Sequence, residues 1–114
     1  MHVDVYQIAT SDTAIYPGAG DCDSIEGLSY VTMGLVGEAG EIANKVKKIL
    51  RDQDGVINDE NRNDLQAELG DVMWYVAQLA NQIDVWLSTV AQRNLNKLQS
   101  RKGRGVIQGS GDNR

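Results

Sequence analysis

The chain has 114 residues, eleven of them Lys or Arg and sixteen Asp or Glu, for a net charge of −5. That length fits one small domain with a core that gains from self-association, and the acidic balance excludes broad nucleic-acid binding by phosphate neutralisation. Cys22 is the single cysteine, which excludes an intrachain disulfide and points to a reducing compartment.

Residues 1–12, "MHVDVYQIATSD", carry acids and no apolar leader core, and no stretch approaches the roughly 18 apolar residues of a membrane span. The expectation is a soluble, cytoplasmic protein with no membrane partner. Residues 4–13 read as a short, weakly periodic helix. "YPGAG" at 16–20 stops it, because Pro17 and two glycines disfavour continuation. Ser24 then caps a long helix to about residue 50, with Glu26 in its first turn. Inside it, Gly27, Gly34, Gly37 and Gly40 each lower helix propensity by up to ~1 kcal/mol relative to alanine. Close packing against a neighbour or a ligand is the expected compensation.

"RDQDGVINDEN" at 51–61 is a turn-rich connection in which Asp59 or Asn61 caps a third helix to about residue 81. It is not a calcium loop: with Gly55 at the sixth position, Leu50 and Asn61 fall where ligating acids belong. A break near Gln82 leads into a fourth helix over about 84–102. The remainder, "GRGVIQGSGDNR", is glycine-rich and aperiodic, a composition of disorder. With no strand pattern, the class is all-α, an antiparallel four-helix bundle whose core is Leu, Ile and Val because Phe is absent.

At helical spacing the apolar arc of the second helix is Leu28, Val31, Leu35, Ala39, Ile42, Val46 and Ile49, with Glu38 at its edge and Glu41 about 60° further round. The third helix carries Leu65, Leu69, Val72, Val76 and Leu79, with Glu68 inside the arc and Asp71 at its margin. Packed along these stripes, the two helices bring four carboxylates to one end of the seam. Converging acids raise each other's pKa and need a compensating cation. Magnesium suits a few carboxylates plus water and substrate phosphate. A di-iron bundle would pair glutamate with histidine three residues on, and the only histidine is His2. The alternative is an ordinary solvated face in which Lys45 and Lys48 pair with Glu41. Spacing alone leaves both readings open.

On the fourth helix Leu87, Val90, Ala91 and Leu98 mark an apolar side with Asn94 near its middle and Lys97 and Arg101 beside it. Either Asn94 bonds to another helix while the cations reach outward, or Asn94 and Lys97 meet a nucleotide. Trp74 lies opposite the third helix's main arc, which suggests a subunit interface or, secondarily, stacking on a base.

The ordered set "GLVGEAGEIANKVKK", "ELGDVMWYVAQLA" and "NLNKLQSRKGRGVIQGSGDNR" resembles the MazG-like nucleotide pyrophosphohydrolases, all-α enzymes related to the dimeric dUTPases, over about residues 14–114. The resemblance implies cleavage of a nucleoside triphosphate between its α and β phosphates, with Mg²⁺ required and Mn²⁺ as a substitute. It matches Glu38, Glu41, Glu68 and Asp71 to the family's metal-binding E-x-x-E and E-x-x-D. Glu38 or Glu41 would accept the water's proton, and Asn94, Lys97 and Arg101 would contact the substrate. Gly37 stands where many members have a further glutamate, which bears on the number of metals. A homodimer or homotetramer is implied. Hydrolysis of a ppGpp-type alarmone, or nucleotide or partner binding without turnover, are the alternative readings.

Overall fold

The structure, a computed structural model describing residues 1–114, consists of α1 (Val3–Thr10), a 3-10 turn (Ser11–Thr13), α2 (Ile25–Asp52), α3 (Asp59–Gln82) and α4 (Leu87–Gly103), with no strand. Ser24 caps α2 as expected: its backbone is extended and its Oγ accepts from the Gly27 amide at 3.0 Å. The cap of α3 is Asn58, not Asp59 or Asn61. Asn61 instead completes a reciprocal box, giving its amide to Asn58 Oδ1 at 2.8 Å and accepting the Asn58 amide at 3.1 Å. Helix α4 starts three residues later than the pattern implied, because Asp84 is left-handed with φ 57° and breaks the chain's course before Leu87.

Helices α2 and α3 form an antiparallel hairpin across the connection 53–58, and theirs is the main seam of the molecule. Along α2 the sheltered row is Val31, Leu35, Glu38, Ile42, Lys45 and Ile49; along α3 it is Leu65, Glu68, Val72, Tyr75 and Leu79. Two acids therefore sit within the seam itself. Gly34 is needed there, since a Cβ at that position would run into the Tyr75 ring, and a Cβ on Gly27 would lie 2.6 Å from Gln82 Nε2. Gly37 and Gly40 face open space. Gly34→Ala should lose about 1–3 kcal/mol in urea unfolding, because overpacking outweighs the gain in helix propensity.

The N-terminal segment is held to α3 and the start of α4 mainly by polar contacts. Gln7, 2% exposed, donates to Asn81 Oδ1 and Val85 O, both at 2.8 Å, and accepts from the Leu87 amide at 2.7 Å. Thr10 Oγ1 donates to Gln7 O at 2.7 Å and accepts from Gln78 Nε2 at 2.8 Å. The Tyr16 hydroxyl shares its proton between Gln78 Oε1 at 2.8 Å and Gln82 Oε1 at 2.9 Å. Every buried side-chain polar atom has a partner, so this interior avoids the desolvation cost of unmade hydrogen bonds. The apolar part is small: Ala77, Ala80 and Leu87, with Tyr6 and Val85 packed against them.

The four helices do not close into a bundle within one chain. Helix α4 meets α1 through its first turn, where Leu87 is buried and Ser88 donates to Asp4 at 2.9 and 2.6 Å, and residues 89–100 are all exposed. Val46, Leu69, Val76, Val90 and Leu98, assigned to the core by periodicity, are likewise exposed. The radius of gyration is 17.0 Å, against roughly 13 Å for a compact domain of this length. Residues 103–114 fold back on the end of α4: Arg101 is buried and donates to Asp112 O at 2.7 Å, while Arg114 donates to the Val106, Ile107 and Gly111 carbonyls. Composition missed that order because the stretch is tied by arginine-to-carbonyl bonds and not by apolar burial. No helix is long and apolar enough to cross a membrane.

Candidate metal centre

Glu38 leaves the α2 row facing α3 where Glu68 and Asp71 stand one turn apart, and oxygens of all three carboxylates lie within 4.8 Å of one another. Three of the four acids singled out by spacing are thus brought together. Glu41, on the next turn of α2 and about 60° round from Glu38, lines a neighbouring cleft and is not part of that trio.

The trio carries more negative charge than its surroundings compensate. Burial pushes the Glu38 carboxyl above the usual glutamate range, and the charges of Asp71 and Glu68, a hydrogen bond to Glu68 and the charge of Glu41 push it further. One ion pair reaches the cluster, from Lys45 Nζ to Glu68 at 3.4 Å. A raised carboxyl pKa favours the protonated form in the fold, so its stabilising contribution is present at low pH and lost as pH rises through the raised value. With chelator present, the Tm of the wild type should therefore fall as pH rises above the usual glutamate range, and that of Glu38→Gln should fall less. Equal slopes in differential scanning fluorimetry would refute this assignment. Asp4 works in the opposite sense: hydrogen bonds from Ser88 lower its pKa, so its contribution is lost as pH falls.

Two clefts adjoin the acids from opposite ends. One, of about 470 Å³, has Glu68 at its inner end and is walled by Asn44, Lys45, Lys48, Glu41 and Asp64. The other, of about 320 Å³, is formed by Thr13, Glu38, Asp71, Trp74 and Tyr75. Its aromatic wall belongs to a chain of rings: Trp74 meets Tyr75 edge-on at 5.0 Å and Tyr16 at 6.2 Å, and Tyr16 stacks on Tyr30 at 4.9 Å. Trp74 Nε1 also donates to Thr13 Oγ1 at 2.8 Å. The second packed surface that Trp74 implied is therefore the N-terminal segment of its own chain. Tyr75 was not singled out from sequence. Its signal was Gly34, the small residue that makes room for its ring.

Asn94 and Lys97 lie on the exposed length of α4, and neither cleft includes them. Arg101 is taken up by the tail. The substrate-contacting set expected on the last helix is thus not brought to the acids within one chain. The donor set at the trio is oxygen only, and Asp71 is exposed while Glu38 and Glu68 are half-buried. Such a set fits a hard divalent cation that keeps water and takes further oxygens from a ligand.

Residues 27–105 match the family profile described as MazG nucleotide pyrophosphohydrolase domain. The chain is also 92% identical, over 114 residues covering all of both sequences, to "Gene 37 protein" of Mycobacterium phage L5. No solved structure matches it. The matched span runs from the first turn of α2 to just past the end of α4 and takes in Glu38, Glu41, Glu68 and Asp71. The acids thus stand in the helical hairpin that the profile covers, and the chain belongs to the MazG nucleotide pyrophosphohydrolase domain family.

Proposed function

We propose that the protein hydrolyses nucleoside triphosphates, ribo or deoxy, between the α and β phosphates to give the nucleoside monophosphate and pyrophosphate. The observation that carries this reading is the carboxylate trio placed between a lysine-bearing cleft and an aromatic one. Glu38, Glu68 and Asp71 would hold Mg²⁺, or Mn²⁺ in its place, with Glu41 on the adjoining turn available to a second ion. When bound, the cation neutralises phosphate charge and lowers the pKa of a coordinated water.

The chain's own groups do the rest. Glu38 or Glu41 accepts the proton of the attacking water. Trp74 and Tyr75 offer a wall against which a base or sugar packs, shielding the reacting end from water. Asn94 and Lys97 contact the nucleotide from a second copy of the chain, in a homodimer or homotetramer. What supports that assembly is surface: 8019 Å² is accessible, against about 6,200 Å² for a monomer of this mass. The difference exceeds the roughly 800 Å² per partner of a standard interface.

The test is pyrophosphate release from the eight common NTPs and dNTPs with Mg²⁺. Release of monophosphate and pyrophosphate from any of them supports the reading. Release from none, in folded protein, would move the assignment to an alarmone or to binding without turnover.

A further inference from the structure

We infer that Lys45 is a built-in counter-ion that holds the metal-free acid cluster together and then receives the pyrophosphate end of the substrate once the cation has taken Glu68. The inference rests on the hydrolase reading above and specifies which way the substrate lies across that site.

Lys45 and Glu68 face each other across the α2–α3 seam at 3.4 Å, with side chains 34% and 17% exposed. Glu68 belongs at once to this pair and to the trio. A lysine ammonium and a divalent ion cannot share one carboxylate without mutual repulsion. Cation binding therefore competes with Lys45, and the ammonium must find other anionic oxygens.

Its four-carbon stem gives it reach, and the space beside it is the 470 Å³ cleft. Lys48 and Asn44 stand on the same helix in that cleft, with the Gln53 and Asn61 amides at its far end. Glu41 and Asp64 also line it, so two lysines meet acids and the cleft does not attract a free anion. It suits phosphate whose charge is already partly neutralised by metal. The aromatic cleft lies beyond Glu38 and Asp71, which leaves the nucleoside to that side and the outer phosphates to Lys45 and Lys48.

Isothermal titration with Mn²⁺ alone, and then with pyrophosphate in the presence and absence of Mn²⁺, tests this on wild type, Lys45→Met and Lys45→Arg. Lys45→Met should bind Mn²⁺ about fivefold more tightly, the scale of a partly exposed ion pair removed from competition. It should bind Mn²⁺-pyrophosphate more weakly, and Lys45→Arg should resemble wild type in both. Lys45→Gln replaces the Met variant if that one does not fold. Pyrophosphate without metal should bind none of them. Unchanged or weaker Mn²⁺ affinity in the uncharged variant overturns the counter-ion assignment alone. Failure of the wild type to bind Mn²⁺ overturns the hydrolase reading with it.

Discussion

Glu68→Gln should lower kcat for pyrophosphate release on the order of 10³-fold or more while leaving the fold intact. The substitution keeps the volume and removes one negative charge from the trio. Stability should move the other way. In chelator, loss of a like charge beside Glu38 relieves repulsion, so the variant should melt no lower than wild type. Lys45 loses its partner, but its side chain is partly exposed and water compensates it. A variant that melts far below wild type would make Glu68 a structural residue of the seam. One that keeps turnover would remove it from the metal centre.

The second large effect is expected on α4. Residues 89–100 are all exposed, and a helix of that length is marginal in water on its own. Leu95 and Leu98, 51% and 37% exposed, are the side chains expected to be covered by another copy. Wild type should run at a multiple of 12.5 kDa in light scattering, and Leu95→Asp with Leu98→Asp should run at that mass and lose turnover. A sharper version mixes Glu68→Gln with Lys97→Ala. If each site takes acids from one copy and Lys97 from another, two inactive proteins reconstitute about a quarter of the activity on random subunit exchange of a dimer. A wild-type monomer, or a mixture that stays inactive after exchange, would place the whole site in one chain.

What the sequence made legible followed from local rules. Ser24 announced the start of α2 and Gln82 the end of α3, because caps and breaks are decided within a few residues. Helical periodicity placed Glu38 and Glu68 on facing rows, since 100° per residue is all that such a deduction needs. It could not tell which of two neighbouring turns faces across a seam, so Glu41 was grouped with acids it stands beside and not among. Nor can periodicity say which apolar stripe is covered by the same chain: Leu87 and Leu98 look alike in sequence, yet one is buried and the other exposed. The largest omission was the interior built from Gln7, Thr10, Gln78 and Gln82. Buried glutamines carry no apolar signal. Gln78 and Gln82 stand at helical i, i+4 spacing, but they read as surface until their partners far along the chain are known.

Those partners have a consequence for the order in which the molecule is made. Gln7 is bonded to groups 74 to 80 residues away, and Asp4 to Ser88 at a separation of 84. Helix α1 therefore waits for the end of α3 and the start of α4. Until Ser88 has emerged, which takes several seconds at about 5–20 residues per second, the Asp4 carboxylate lacks both hydrogen bonds that Ser88 donates to it. The hairpin of α2 and α3 needs no such wait, because its halves follow each other directly. The acidic centre can thus be in register before the N-terminal segment arrives to close the aromatic wall beside it.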